Sequence, residues 1–326
     1  MKKRRVARLG MAVLLWTAAS AGGGGQTVAS NAGARANAAA EKEYTIQTTS
    51  RLVLLDVSVK DPAGGFVSGL TQHDFKVFED GKPQDISQFA NSDIPVAAGI
   101  AVDESGSMRP KRAQAITAAL VFIQASNPMD EMFVVNFNEK ARRGLPDDLL
   151  FTDNAAKLRA ALWQGDPEGR TALYDAIEMS LHQLEFGRQA KKTLVVISDG
   201  GDNHSMHTLA DVKRDVLSSL VTIYTVGIYD EDDPEKNEGV LKELAHVSGG
   251  VFYHPATLDE IVPICRQIAK DIRTRYTIGY IPSTGGKMQR HIKIVASSAG
   301  HPKLVVRTRT SYLFSDKAAD KAGEQP

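Results

Sequence analysis

Cysteine is almost missing from this chain. Cys265 stands alone among 326 residues, so no intramolecular disulfide can form and stability must come from burial of a core, which this length permits. Net charge is missing too: Lys and Arg total 39, and so do Asp and Glu. With Lys2, Lys3, Arg4, Arg5 and Arg8 set aside, 34 basic residues face 39 acidic ones, and no nucleic-acid partner is expected of so slightly acidic a body. An apolar run able to span a membrane is also lacking at the N-terminus, where the stretch at 9–21 has only 13 residues. No internal repeat is visible.

What is present begins with that stretch. Five basic residues, an apolar run and the small residues Ala19-Ser20-Ala21 read as a secretory signal peptide at 1–21, cleaved after Ala21. The expectation is therefore an exported protein, periplasmic or secreted, with no integral membrane span after cleavage. Residues 22–43, rich in Gly, Ala, Asn and Ser, have too little apolar content to fold and read as a flexible linker. The charged, small residues at 315–326 read as a disordered tail.

Between these lie three patterned segments. Residues 44–92 are strand-like, with Leu52, Leu54, Val57 and Val59, a turn at Pro62-Ala63-Gly64-Gly65, and a hairpin signal at Glu79-Asp80-Gly81-Lys82 whose returning strand is expected at 86–89. Residues 93–273 alternate apolar strands (96–102, 132–137, 193–198, 221–228) with helical patterns (111–125, 155–162, 172–186, 209–220, 239–247, 258–273). That alternation predicts a doubly wound, mostly parallel α/β sheet covered on both faces. Strands return at 276–281, 291–296 and 304–308, and the segment 274–314 is expected to pair with 44–92 as a small β-sandwich. Left unpaired, the two segments would expose edges and have thin cores. Cys265, on the apolar helical pattern of Ile261, Ile264 and Ile268, reads as a core thiol.

The chemistry gathers at strand ends. Asp103-Glu104-Ser105-Gly106-Ser107 follows the 96–102 strand, Gly169-Arg170-Thr171 precedes a helix, and Asp199-Gly200-Gly201-Asp202-Asn203 follows the 193–198 strand. Ligands of such sheets bind beyond the carboxyl ends of the strands, which is where Asp103 and Asp199 fall. Carboxylate and hydroxyl oxygens packed this tightly suit a hard divalent cation.

These segments resemble the metal-ion-dependent adhesion site (MIDAS) of von Willebrand factor A (VWA) domains, whose pattern is D-x-S-x-S, a distant Thr and a distant Asp. Asp103, Ser105, Ser107, Thr171 and Asp199 match it without departure. The resemblance implies a Rossmann-like VWA domain over 93–273 and a bound Mg²⁺ or Mn²⁺. Ser105, Ser107 and Thr171 would offer hydroxyls, and Asp103 and Asp199 would bind directly or through water. It also implies a protein ligand that presents an acidic residue. Together with the flanking β segments, the chain is similar over roughly 44–314 to exported bacterial VWA-related proteins.

The residues point to binding rather than catalysis, since the five supply no aimed base, and Ser105 lacks a G-x-S-x-G elbow because Asp103 stands two before it. The expected function is thus a non-enzymatic, metal-dependent, adhesion-type module. The alternatives are a structural scaffold of an envelope assembly with a stabilising metal, or a metal-dependent hydrolase. Other candidates stay open. His204 and His207 would share a face at a helix start and could hold zinc, though polar loop residues explain them as well. Asp202 and Asn203 could support the main cation from behind, and Asp230-Glu231-Asp232-Asp233 emerges on the same edge. Arg142-Arg143 and Lys191-Lys192 read as surface charge; Glu104 has no assigned direction.

Overall fold

A computed structural model describes residues 52–314, apart from 92, 231–233, 235, 284 and 302. The signal peptide, the linker and the tail expected at 1–21, 22–43 and 315–326 lie outside the described residues, as do 231–233 of the acidic run. Strand β1 spans Val53–Lys60, β2 Phe75–Glu79, β3 Lys82–Gln84 and β4 Ile86–Ala90. The α/β portion follows with β5 (Val96–Asp103), α1 (Arg112–Ala125), β6 (Glu131–Phe137), β7 (Ala141–Arg143), α2 (Ala155–Ala161), α3 (Leu173–Glu185) and β8 (Lys191–Ser198). It continues with α4 (Leu209–Ser219), β9 (Thr222–Gly227), α5 (Glu238–Ser248), β10 (Phe252–Tyr253) and α6 (Leu258–Thr274). The chain closes with β11 (Tyr276–Tyr280), β12 (Gln289–Ala296), β13 (Val305–Arg307) and β14 (Ser311–Leu313).

The central sheet has the order β10-β9-β8-β5-β6-β7. Its strands run parallel except for β7, which returns antiparallel to β6 at the edge. Every residue of β5, β6 and β9 is buried, because helices cover both faces and leave no strand face for solvent. One group of helices joins α1 to α2 and α6, and a second joins α4 to α3 and α5. Helix α1 buries Ala115, Ala118, Ala119 and Phe122, a 3.6-residue apolar stripe. Helix α6 does the same with Ile261, Cys265, Ile268 and Ile272. The Cys265 thiol is buried among them, and burial pushes it up to about 12. It is a core thiol, as its helical pattern implies.

The flanking segments form two antiparallel four-stranded sheets, β13-β1-β11-β4 and β14-β12-β2-β3, each built from both ends of the described chain. Alternation along β1 sends Val53, Leu55, Val57 and Val59 inward, and along β12 it sends Ile292 and Ile294 inward, so the two sheets share one core with Phe75, Val77, Tyr276 and Tyr280. The hairpin differs from expectation. Asp80 and Gly81 both take positive φ (47° and 80°), a two-residue turn that pairs Glu79 with Lys82, so β3 is the returning strand. Pro83 restricts β3 to an edge, and the chain then leaves for the other sheet, where β4 pairs with β11.

A second difference concerns Lys191. It is buried rather than a surface charge: its ammonium donates to the Ile272 carbonyl at 2.9 Å and stands 3.8 Å from the Asp56 carboxylate on β1. Beside it, the fully buried Asp271 of α6 accepts hydrogen bonds from Ser58 (2.8 Å), Tyr224 (2.7 Å), Arg275 (3.0 Å) and Arg307 (2.7 Å). One carboxylate thus ties α6 to β1, β9 and β13, joining the β-sandwich to the α/β sheet.

Candidate metal centre

Register brings the site together. Strands β5 and β8 are direct parallel neighbours, with Val102 beside Ile197, so Asp103 and the pair Ser198-Asp199 emerge side by side at the carboxyl edge. The Asp103 carboxylate is held from two directions. The Ser105 amide donates to Oδ1 at 2.9 Å, and the Ser198 hydroxyl donates to Oδ2 at 2.6 Å. Ser105 Oγ lies 3.1 Å from Ser107 Oγ, and the Ser107 hydroxyl donates to Asp199 Oδ2 at 2.7 Å. The Gly201 amide donates to Asp199 Oδ1 at 3.2 Å. Four of the five sequence-expected residues therefore join into one hydrogen-bonded group.

Thr171 enters through its backbone. Its amide donates to Asn203 Oδ1 at 2.9 Å, and its carbonyl accepts from the Asn203 and His204 amides, both at 3.0 Å. The loop before it accepts from the Gly106 amide through the Gly169 carbonyl at 3.0 Å. The three loops carrying the motif are thus stitched to one another by main-chain bonds. Among the described residues no hydrogen bond links the buried Thr171 hydroxyl to the other four.

Gly200 is what lets the chain turn after Asp199. Its φ is +80°, and a Cβ there would lie 2.3 Å from the Asn237 carbonyl oxygen. The Asn237 amide in turn donates to the Asp199 carbonyl, and its side chain caps α5, so the loop is anchored from the α5 side.

Two buried carboxylates meet at the site. Asp103 and Asp199 are both buried. Burial raises the Asp103 carboxyl well above the ordinary range, the neighbouring Asp199 carboxylate raises it further, and the hydrogen bonds from Ser105 and Ser198 offset only part of this. A positive charge placed between them would relieve both effects. The donors are two carboxylates and two or three hydroxyls, all hard oxygens, a set that fits Mg²⁺ or Mn²⁺ and leaves room for further ligands. Among the described residues no group of three or more His, Cys, Asp or Glu side chains is placed to hold a metal.

Several neighbours have other roles than their sequence positions implied. His204 and His207 lie in the loop before α4 rather than on a helix face. His207 Nδ1 pairs with Asp175 at 2.7 Å, and His204 sits against Arg170 at 3.5 Å. Asp202 accepts from the Tyr174 amide at 3.0 Å and so caps the first turn of α3. Glu104 points inward, with Arg142 at 3.5 Å from its carboxylate. Arg142 is thus the partner of a buried acid and more than surface charge.

Two residues of the site escaped the sequence reading. Ser198, which fixes Asp103, could have been found by aligning the ends of the two adjacent strands. Lys111 donates to Asp199 Oδ2 at 3.1 Å from a buried position. Its signal was its place one turn before Ala115, on the apolar stripe of α1.

Residues 99–201 match the family model of the von Willebrand factor type A domain, and this span contains Asp103, Ser105, Ser107, Thr171 and Asp199. The chain carries a VWA domain. No curated protein matches the sequence. Among solved structures, the chain is similar to a von Willebrand factor type A protein from Catenulispora acidiphila, at 16% identity and TM-score 0.49 over 84% of this chain and 76% of that one. It is also similar to the vWF domain of the type V pili tip protein Mfa5 from Porphyromonas gingivalis (14% identity, TM-score 0.45, 56% of this chain and 96% of that one). A third is an aerotolerance-related membrane protein from Bacteroides fragilis NCTC 9343 (18%, 0.45, 54% and 98%). Among the described residues no helix is long and apolar enough to cross a membrane.

Proposed function

We propose that this chain is a non-enzymatic, divalent-metal-dependent protein-binding module, exported to the periplasm or beyond, whose VWA domain grips an acidic residue of a protein ligand. The observation that carries this is the single hydrogen-bonded group of Asp103, Ser105, Ser107 and Asp199 at the carboxyl edge of the parallel sheet. Asp103, Ser105, Ser107, Thr171 and Asp199 would hold the cation. Bound there, Mg²⁺ or Mn²⁺ supplies an electrophilic centre whose remaining position a carboxylate from another protein can take.

The chain's own residues supply the positioning. Ser198 and the Ser105 amide aim the Asp103 carboxylate, the Gly201 amide aims Asp199, and the main-chain bonds around Gly169 and Thr171 hold the loops in register. Hydroxyls are neutral donors, so beyond the two carboxylates no anionic ligand damps the electrophilicity of the cation, which leaves it able to take a carboxylate from outside. Catalysis is disfavoured by the partners of the hydroxyls. Ser105 faces Ser107, and Ser107 faces Asp199, and among the described residues no imidazole hydrogen-bonds to either hydroxyl.

Calorimetric titration of Mg²⁺ and Mn²⁺ into the purified protein and into Asp103→Ala tests the cation. A panel of peptides each carrying one Asp or Glu, probed in Mg²⁺ and in EDTA, tests the ligand class. Binding of metal by the native protein alone, with peptides retained only in metal, is the expected result. Equal metal binding by Asp103→Ala, or peptide capture unchanged by EDTA, overturns the proposal.

A further inference from the structure

The ammonium of Lys111 lies inside the candidate metal centre. Lys111 closes the two-turn 3-10 helix Gly106–Lys111, which begins within the D-x-S-x-S segment, and stands at the N-cap of α1. Its side chain is 6% exposed and that of Asp199 is 1%, with 3.1 Å between Nζ and Oδ2. The same Oδ2 accepts the Ser107 hydroxyl at 2.7 Å. One carboxylate oxygen is therefore shared between a hydroxyl assigned to the cation and an ammonium supplied by the protein itself.

A long flexible side chain is not needed to build the hydroxyl group, since Ser105 and Ser107 are placed by the loop. What Lys111 contributes is charge. Asp103 and Asp199 are buried within one hydrogen-bonded group, and without a cation their mutual repulsion and desolvation are both costly. The ammonium compensates Asp199 in the metal-free state. When a divalent cation is present, the same ammonium becomes a like charge beside it.

We propose that Lys111 is a built-in competitor for the cation: it holds Asp199 when metal is absent and, by its charge, weakens divalent-cation binding. This rests on the metal-binding reading above and assigns to it an affinity-setting residue. Three consequences follow. The metal-free site stays assembled, so the loops need no reorganisation on binding. The affinity for Mg²⁺ or Mn²⁺ is set below what the oxygen donors alone would give. The cation also becomes easier to remove, so that occupancy can follow the metal concentration outside the cytoplasm.

The test uses the full chain with Lys111→Met, which keeps the stem and removes the charge, and Lys111→Gln, which keeps a neutral donor. Mn²⁺ and Mg²⁺ affinities are measured by calorimetry, with Asp103→Ala as the metal-site control, and melting is followed in EDTA and in saturating Mn²⁺. Circular dichroism confirms that each variant is folded, and Lys111→Gln stands in if Lys111→Met is not. Both variants are expected to bind Mn²⁺ tighter by about tenfold or more, the scale on which one neighbouring charge acts at a buried site. They should also melt lower than the native protein in EDTA but not in Mn²⁺, whereas a merely structural lysine would lower both. Metal binding seen only in the Lys111 variants also supports the proposal. Unchanged or weaker binding in the variants, with Asp103→Ala still abolishing it, overturns the role of Lys111 and leaves the metal module standing. No metal binding in any form of the protein overturns both.

Discussion

Replacing Asp271 by Asn should be among the most damaging isosteric changes in this protein. Asp271 is fully buried, and its Oδ2 accepts from Tyr224 at 2.7 Å, Arg307 at 2.7 Å and Arg275 at 3.0 Å, while Oδ1 accepts from Ser58 at 2.8 Å. Asn preserves the shape and one acceptor oxygen, so the change isolates the charge. The two guanidiniums respond differently. The Arg307 side chain is 31% exposed and can turn toward water, so its share is small, whereas Arg275 is 1% exposed and cannot leave. Stranding one buried charge costs about 3–5 kcal/mol. For a body of this size that lowers Tm by roughly 6–20 °C.

The pH dependence has a definite sign. Burial alone would raise the Asp271 carboxyl, but Arg275 and Arg307, with the hydrogen bonds from Tyr224 and Ser58, hold it well below the usual carboxylate range. Its contribution is therefore complete above the ordinary Asp value near 3.8 and lost only as pH falls below it. Urea titrations of native protein, Asp271→Asn, Arg275→Met and the double variant at pH 7 and in strong acid measure all of this. The double variant should recover part of the loss, with a coupling of about 2 kcal/mol or more, because it removes the stranded charge. A single-variant loss under about 1 kcal/mol, or strict additivity, would refute the assignment of this carboxylate as the charge partner of Arg275.

Two further outcomes are expected. Burial and the facing Asp215 carboxylate push Glu178 up from 4.5 to about 7, so the native protein loses stability as pH rises through that window. Glu178→Gln should leave stability unchanged near pH 4 and raise it at pH 8, by roughly 1 kcal/mol at most after allowing for solvent screening of a half-buried pair. Thermal melts at the two pH values check this, and equal Tm differences at both would contradict it. Gly200→Ala introduces a Cβ 2.3 Å from the Asn237 carbonyl oxygen at a φ of +80°. It should cost about 2 kcal/mol or more and weaken Mn²⁺ binding as well, because the strained peptide follows Asp199 directly. Urea titration and calorimetry report the two effects, and a stability change within about 0.5 kcal/mol would show that the loop relaxes freely.

The central fold could be read in the chain because its signals are local. The apolar runs before Asp103 and Asp199 and the helical stripes between them are spaced within single elements, and β5, β8, α1 and α6 fall where those patterns lie. The order of five oxygen-bearing residues, each at a strand end or helix start, likewise belongs to the chain alone, as does the matching family pattern over 99–201. Cys265 as a core thiol needed only its helical neighbours.

Other features depend on distances between elements that no local pattern contains. The hairpin residues Asp80-Gly81 were legible, yet the departure of Ile86–Ala90 to the opposite sheet follows from its pairing with β11, nearly two hundred residues away in the chain. Lys191 looked like surface charge because its neighbours in sequence are polar, but it is buried beside Asp56 from the sandwich. Asp271 has nothing in its own helix to mark it as the carboxylate on which three strands converge. Lys111 and Ser198 reach Asp199 and Asp103 only because parallel pairing of β5 with β8 sets two strand ends together. The order of residues along the chain sets which oxygens are on offer at the sheet edge. Packing of distant elements sets which charges stand against them, because long-range electrostatics depends on which elements meet and not on which residues adjoin.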